Sequence, residues 1–432
     1  MAQLGYGPGI VLYTIFGAMA GYSGWQLWRM FLRLDSDRYP LKTYGDVAFR
    51  IYGTWARITV NLLQSIQLLC NVGVIIISNA QSLSQITTGS LCFVVCCVIF
   101  TIAGAVLGQI RTLQKFGWIA NAAIWMNLLV IFITMGVAAH SEPNWDAAKA
   151  SNQVDKGPII TTGGPPPGVE FEGQVVGLMQ AVYSYGGAML FCEFMSEMKR
   201  PWDFWKGMVC AQSFIFFFYL MFGLFVFSYQ GQFTINPVYQ GLSPYNWQTA
   251  CNVIAFISAL IAAALYGNIG IKVLYNNLFT DVFHFPPLTE KRGKLLWVGI
   301  VPVYWVVAFI IAAAIPQFSN LTALVAAVCI LQFTYTFPPF FMLGFEIKQH
   351  AMQPGEGFDP ATGRVTRFDS GFARFKRGFA RQWYIKTFNF FYMLGAACCA
   401  VLGAYSAVKG IVASFQTNPA ISSFGCASPI GG

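Results

Sequence analysis

One apolar run of this chain carries polar groups that could bind a small zwitterion inside a membrane. Within residues 172–192, three hydroxyl side chains precede two glycines: Tyr183, Ser184, Tyr185, Gly186 and Gly187. Paired glycines weaken a helix and free backbone groups, which a bilayer tolerates where they line a cavity or are buried in protein. Interrupted helices of this kind expose their dipole ends to carboxylate and ammonium groups in secondary transporters. These five residues are therefore predicted to bind substrate; the alternative is that the glycines only allow close helix packing.

A second run places amides on one helical face. Gln64, Gln67, Asn71 and Ser78 follow one another at spacings of three, four and seven. Such stripes hold helices together through hydrogen bonds of about 0.6 kcal/mol each, or they line a cavity. Gln67 and Asn71 are the residues of this stripe that we predict to contact substrate.

Three ionisable side chains lie inside or beside apolar runs. Lys272 precedes Asp281 by nine residues, roughly 13 Å into its segment at 1.5 Å per residue. An ionisable group at that depth indicates a function, although a lysine stem also snorkels to the interface. Glu193 and Glu197, four residues apart beside Lys199 and Arg200, are candidate cytoplasmic gate residues or simply solvated charges.

The elements that position these residues are predicted to be membrane-spanning helices. The 432 residues are 56% apolar and 10% charged, with a mean hydropathy of +0.56, which excludes an ordinary soluble domain. A spanning helix needs roughly 20 mainly apolar residues. Ten runs qualify: 8–29, 57–83, 89–110, 117–139, 172–192, 207–228, 247–280, 295–315, 321–345 and 387–414. The sequence therefore predicts an all-α polytopic membrane protein with a single transmembrane domain over residues 1–432.

Basic residues occur in alternate loops. Of the 26 Lys and Arg, only Lys149, Lys156 and Lys409 lie in or beside one set of loops. The rest, apart from Lys272 within its run, lie in or beside the other set, 30–56, 111–116, 193–206, 281–294 and 346–386. The positive-inside rule assigns this set to the cytoplasm, and ten spans then place both ends of the chain on the other side. Anionic membrane lipids explain the net charge of +9, so nucleic acid is not implied.

Two long loops carry their own predictions. The external loop 140–171 contains Gly163-Gly164-Pro165-Pro166-Pro167-Gly168, which is typical of a mobile, partly extended linker. The cytoplasmic loop 346–386 spaces Phe368, Phe372, Phe375 and Phe379 by four, three and four among basic residues. This spacing favours an interfacial helix on the inner leaflet; a disordered basic loop is the alternative, because Gly371 and Gly378 weaken a helix.

Cysteine and histidine usage suggests neither cross-links nor metal. Ten of the eleven cysteines, Cys92 among them, fall in apolar runs or at their ends and are interpreted as packing residues without a disulfide. The three histidines lie in loops, so we expect no metal site and no cofactor. No carboxylate pair or Ser-His pair lies at matching depth, so an enzyme is not expected.

The stretch from Tyr183 to Pro201, with Gly186-Gly187, Glu193 and Glu197-Met198 in order, resembles the sixth helix and following loop of the amino acid/auxin permease family. Tyr44-Gly45-Asp46 ahead of Tyr52-Gly53 is similar to that family's first cytoplasmic loop. Leu4-Gly5-Tyr6-Gly7-Pro8-Gly9 resembles its turn into the second helix. The chain looks most like fungal neutral amino acid permeases of the family.

The resemblance implies a leucine-transporter-type fold of two inverted five-helix repeats. It also implies amino acid substrates and coupling to protons, in which Lys272 would stand where sodium-coupled relatives bind a cation. Members have eleven helices, and this chain begins at what looks like the second, so we expect a further helix upstream of Met1. The predicted function is a proton-coupled transporter of neutral amino acids in the plasma or vacuolar membrane. The alternative is a non-transporting protein, either an amino acid sensor or a truncated, inactive paralogue.

Overall fold

The computed structural model describes residues 1–111, 117–280, 284–288, 290–417 and 422–431. Its helices are α1 Tyr6–Leu34, α2 Tyr44–Tyr52, α3 Thr54–Ile86, α4 Phe93–Gly108, α5 Gly117–His140, α6 Trp145–Asn152, α7 Phe171–Ser184, α8 Phe191–Glu197, α9 Phe204–Gln230, α10 Tyr245–Leu274, α11 Lys291–Ala314, α12 Phe318–Val325, α13 Phe337–His350, α14 Phe372–Ala380 and α15 Trp383–Thr417. A short antiparallel hairpin pairs β1 Gly357–Phe358 with β2 Val365–Thr366. The predicted basic loop 111–116, apart from its first residue, and Asp281 lie outside the described residues.

All ten predicted apolar runs coincide with helical segments. Eight segments of the described chain are long and apolar enough to cross a membrane, and α1 and α4 coincide with the other two runs. Two segments are interrupted within their length. The segment Phe171–Glu197 is divided between α7 and α8, and π-helical turns at Ala326–Ile330 and Gln332–Thr336 separate α12 from α13.

The motif residues before α3 determine the backbone conformation of the segment between α1 and α3. Thr43 and Asp46 form a capping box that starts α2, in which each side chain accepts a hydrogen bond from the other's backbone. Gly53 adopts φ 92°, where a side chain would be strained. Tyr44 is fully buried, and its hydroxyl donates to the Phe333 carbonyl at 3.0 Å. The motif therefore ties α2 to the π-helical segment.

Loops of the same predicted set meet at the same end of the bundle. At the basic end, the Trp28 indole donates to the Pro201 carbonyl at 3.2 Å, and Arg33 donates to the Gln349 side chain at 3.1 Å. At the other end, the Asn144 side chain donates to the Leu242 carbonyl at 3.4 Å. The contacts thus agree with sorting the loops by charge.

A disulfide joins Cys92 to Cys426 at the end with few basic residues. The backbone amide of Phe93 also donates to the Cys426 carbonyl at 3.0 Å. The prediction that Cys92 only packs, without a disulfide, is wrong, because its partner lies 334 residues away and no local pattern identifies it. Disulfides persist in oxidising compartments, which supports a non-cytoplasmic location for this end.

We expect Cys92→Ser to lower the thermal stability of the purified protein. Native disulfides contribute typically about 2–4 kcal/mol, largely by restricting the unfolded chain. Monodispersity after heating, measured by size-exclusion chromatography, reports the change. Cys210→Ser is the control, because Cys210 is free and exposed on α9. Equal losses in the two variants would contradict the prediction.

The external loop 140–171 contains regular secondary structure, which an extended linker would lack. α6 lies within it, and the Asn144 side chain caps this helix by accepting from the Ala147 amide at 3.1 Å. The prediction of a linker missed this helix, because its eight residues carry no apolar periodicity long enough to recognise.

The basic loop 346–386 forms the hairpin and α14. Phe372, Phe375 and Phe379 stack along α14 with ring centroids 6.3 and 6.0 Å apart, whereas Phe368 precedes the helix. A Cβ at Gly378 would lie 2.2 Å from the Ile347 carbonyl oxygen. This glycine therefore permits α14 to pack on α13; the position of α14 on a membrane surface stays a prediction.

The Glu356 carboxylate links several parts of the loop 346–386. Its carboxylate, on a side chain only 1% exposed, accepts from Arg374 at 2.8 Å and from the backbone amides of Phe368 and Gln353. The hydrogen bond from Arg374, with those from the two amides, lowers the pKa of Glu356 from 4.5 to about 2. A lowered folded-state pKa means that the contact stabilises the loop above pH 4.5 and is lost as the pH falls towards 2.

Glu356→Gln is therefore expected to loosen the loop at neutral pH, because the amide removes the ion pair with Arg374. Trypsin cleavage at Arg364 and Arg367, followed by mass spectrometry, measures this as faster proteolysis. The unsubstituted protein should lose its protection from proteolysis only under strongly acidic conditions, where an acid-stable protease measures the cleavage of both proteins. Unchanged cleavage of the variant would show that Glu356 does not hold the loop.

Candidate functional site

The helix interruption lies at the predicted residues. α7 ends at Ser184, a turn covers residues 185–187, and a 3₁₀ turn at Ala188–Leu190 leads into α8. The Gly186 amide donates to the Tyr183 carbonyl at 3.2 Å, and the Gly187 amide donates to the Tyr185 carbonyl at 2.9 Å. These short-range bonds replace the regular α-helical ladder.

The two glycines have different surroundings. A Cβ at Gly186 would lie 2.9 Å from two atoms of Ile330, so this residue packs against the π-helical turn. A Cβ at Gly187 would meet only an atom of Phe191 at 4.0 Å, and Gly187 is exposed although Ala188, Met189 and Leu190 are buried. Close packing therefore accounts for Gly186 alone, and Gly187 faces open space.

Tyrosine hydroxyls surround the interruption. The Tyr185 hydroxyl donates to the Tyr13 carbonyl at 3.2 Å, and the two rings lie 6.3 Å apart. Tyr13 of α1 also lies beside Ser184. Tyr219 of α9 lies near Tyr183 and Tyr185. Three separate helices thus bring hydroxyl groups to one interrupted backbone.

A further tyrosine, Tyr266 of α10, lies close to both Tyr183 and Tyr219. Neither Tyr13, Tyr219 nor Tyr266 was predicted from the sequence. Each lies within an apolar run, and nothing in the spacing shows that the four helices bring these side chains together. Their shared residue type at mid-run positions is the one signal that could have suggested them.

The amide stripe of α3 divides into two kinds of residue. Gln64 donates to the Met189 carbonyl at 3.0 Å and to Glu193 at 2.9 Å, so it holds α3 against the segment that follows the break. Gln67 is fully buried, yet neither polar atom of its amide has a hydrogen-bond partner among the described residues. The Asn71 carbonyl oxygen is likewise buried and unpartnered. Buried polar atoms without partners require an explanation, such as an ordered water or a bound ligand.

Glu193 lies on α8, the helix that follows the break. One carboxylate oxygen accepts from Gln64 and, at 3.5 Å, from the Tyr44 amide; the other is buried without a partner. Glu193 and Glu197 both line a cavity of about 500 Å³ that reaches Asp35 and Lys42 in the loop after α1. Within the described chain neither glutamate forms an ion pair with Lys199 or Arg200. The predicted charge cluster is therefore replaced, for Glu193, by contacts with α2 and α3.

Lys272 stands two residues before the end of α10, where the helix continues as a π-helical turn to Thr280. It is half-buried, and the charge that acts on it is that of Glu197. The structure thus places Lys272 near Glu197, the exposed glutamate of α8. Among the described residues, no group of His, Cys, Asp and Glu has the arrangement of a metal site.

Comparison with known sequences identifies the family. The family of transmembrane amino acid transporter proteins matches residues 1–353. The chain belongs to this family. It is accordingly an integral membrane protein of a transporter family, and the predicted helical, polytopic class is confirmed. The leucine-transporter-type arrangement of two inverted repeats stays a prediction.

Fungal relatives match at low identity. A transmembrane transporter of Fusarium pseudograminearum is 25% identical over 394 residues, covering 90% of this chain and 75% of the relative. One from Gibberella moniliformis is 25% identical over 300 residues, covering 68% and 61% respectively. The N amino acid transport system protein of Neurospora crassa is 24% identical over 346 residues, covering 78% and 69%. The chain thus spans less than two thirds of the Gibberella relative's length.

A solved structure is distantly similar. The Eremococcus coleocola manganese transporter, crystallised with an aromatic bis-isothiourea substituted compound, has a TM-score of 0.44 and 13% identity. The match covers 94% of this chain and 85% of the transporter. At that level of similarity, the manganese substrate of this transporter says nothing about the substrate of this chain.

Proposed function

We propose that the chain is a secondary active transporter that moves neutral amino acids together with protons, by alternating access around the break at Gly186 and Gly187. The observation that supports this most strongly is the open space at Gly187, in the turn between α7 and α8, directly before the buried residues Ala188, Met189 and Leu190. An interrupted helix with room beside its backbone is the arrangement that secondary transporters use to bind substrate.

The surroundings of the break suit a zwitterion. Carbonyls at the C-terminal end of α7 are negative dipole ends, which favour the ammonium group. Hydroxyls of Tyr13, Tyr183 and Tyr219 can donate to the carboxylate. The unpartnered amides of Gln67 and Asn71 add donors and acceptors. No charged side chain of the described chain is among these groups, which favours a neutral amino acid side chain.

Glu193 is the better-supported proton carrier of the two ionisable candidates. An ionisable group inside a membrane segment is functional by default. Glu193 has a buried carboxylate oxygen without a partner, and through Gln64 it is linked to the Met189 carbonyl at the break. Lys272 lies nearer the exposed Glu197. Protonation of Glu193 would therefore affect the substrate site through the side-chain amide of Gln64.

Alternating access requires elements that change arrangement. The π-helical turns at Ala326–Ile330 and Gln332–Thr336 lie against the break, where Ile330 contacts Gly186. Turns of this kind often mark functional positions within helices. We propose that α7 and α8 move against this segment when substrate binds.

Reconstituted protein tests the function directly. Proteoliposomes with an acidic exterior are expected to accumulate radiolabelled neutral amino acids, and a protonophore is expected to abolish the accumulation. Empty liposomes and an equal external concentration of a cationic amino acid are the controls. Binding without uptake would overturn transport and favour a sensor, and uptake unaffected by the protonophore would overturn proton coupling.

A further inference from the structure

A second cavity lies at the basic end of the bundle, away from the break. It measures about 800 Å³ and lies between the end of α1, α2, α13, the hairpin and α14. Its polar lining is strongly cationic, with five basic side chains and a single carboxylate, that of Glu356. The basic residues are Arg33, Arg50, Lys348, Arg367 and Arg374.

Most of this positive charge is not neutralised by the protein. Arg374 is paired with Glu356 and Asp369. Within the described residues, none of the other four forms an ion pair. Arg33 donates to the neutral Gln349 side chain, Arg50 to the Tyr39 carbonyl, and Lys348 to the Ile51 carbonyl. Like charges gathered in one cavity repel one another, so the arrangement favours an anionic ligand with more than one negative charge.

Besides the neutral Gln349 and Thr366, the cavity has a large apolar lining. Leu34, Ile51, Phe345, Ile347 and Phe375 contribute to the same cavity. Beside it, α14 exposes Phe372, which is 78% accessible, next to basic residues of the same helix. A cavity that joins uncompensated cations to apolar surface suits an amphiphile better than a free phosphate.

We propose that this cavity binds the phosphorylated headgroup of an anionic membrane lipid, with the acyl chains lying along α13 and α14. Arginine guanidinium groups bind phosphate oxygens in pairs of hydrogen bonds, which Arg33 of α1 and Arg367 after β2 can supply. The exposed Phe372 and Phe375 of α14 are suited to contact with the membrane surface beside the cavity. This site is independent of the proposed transport function, because it shares no residue with the break.

Lipid binding to the purified full chain tests the proposal. Native mass spectrometry in detergent would compare phosphatidylinositol 4-phosphate with phosphatidylcholine of the same acyl chains. Soluble inositol 1,4-bisphosphate serves as the headgroup without a lipid tail. The variant is the double substitution Arg33→Gln and Arg367→Gln. Its matched control is Lys376→Gln with Arg381→Gln, which removes the same charge from exposed residues outside the cavity lining.

The phosphoinositide is expected to bind in preference to phosphatidylcholine. Each cation removed from the cavity should weaken binding roughly fivefold, so the double variant should lose more than tenfold. The control pair should leave the affinity unchanged. Equal weakening in both pairs would overturn the site in favour of general attraction to a basic surface. Equal affinity for the soluble bisphosphate would overturn a lipid as the ligand. Size-exclusion profiles verify that each variant is folded.

Discussion

Gly187→Leu is expected to abolish amino acid uptake while leaving the amount of folded, membrane-inserted protein unchanged. The backbone of Gly187 has φ −102° and ψ −9°, which any residue adopts, so the substitution introduces no backbone strain. The nearest atom to its Cβ position is 4.0 Å away, so no packed neighbour must move. The leucine side chain would occupy the space assigned to substrate. We expect uptake to fall about a hundredfold or more, which corresponds to about 2.8 kcal/mol of lost binding.

Two further glycines provide the controls for this experiment. Gly299→Leu makes the same change on α11, where nothing lies within 4 Å, and should leave uptake normal. Gly186→Leu should instead reduce the amount of folded protein, because its Cβ would meet Ile330 at 2.9 Å and overpacking costs typically about 1–3 kcal/mol. Proteoliposome uptake is normalised to folded protein measured by size-exclusion chromatography. Normal uptake by the Gly187 variant would place the substrate elsewhere, and loss of its fold would support a packing role.

The helix break was predictable from sequence because its cause is local. Two adjacent glycines after three hydroxyl residues weaken the helix wherever the chain packs, so the position of the break follows from Tyr183 to Gly187 alone. The ten spans were predictable for a similar reason, since apolar length within a segment decides them. What the sequence left open was which of the two glycines packs and which faces space. That distinction depends on Ile330, about 140 residues away along the chain.

Long-range pairings were the part that could not be predicted. Cys92 bonds to Cys426, and Gln64 donates to Glu193, because the packed helices bring these residues together. The residue spacing within either segment does not predict which residues will be in contact. For the same reason Glu193 was grouped with its neighbours Lys199 and Arg200, although its contacts are with α2 and α3. The π-helical turns after Val325 were also missed, because the hydropathy of that run continues through them without a change.

Glu193→Gln is expected to uncouple uptake from protons without stopping substrate exchange. Glutamine is neutral and nearly isosteric, so it imitates the protonated acid and keeps a carbonyl oxygen for the Gln64 amide, now 2.9 Å from the carboxylate. Because the variant cannot release a proton, accumulation driven by an acidic exterior should fall to the level measured without a pH gradient. Exchange of labelled for unlabelled amino acid across the membrane needs no net proton movement and should persist.

Two matched substitutions make the coupling experiment decisive. Glu197→Gln removes the same charge from the same helix, but Glu197 is exposed, so accumulation should remain. Lys272→Gln examines the other candidate, which lies near Glu197, and should also leave accumulation intact if Glu193 carries the proton. Loss of accumulation in the Lys272 variant with full accumulation in the Glu193 variant would transfer the coupling role to Lys272. Loss of both accumulation and exchange in the Glu193 variant would instead make Glu193 a structural residue, since a side chain that only carries the proton is not needed for exchange.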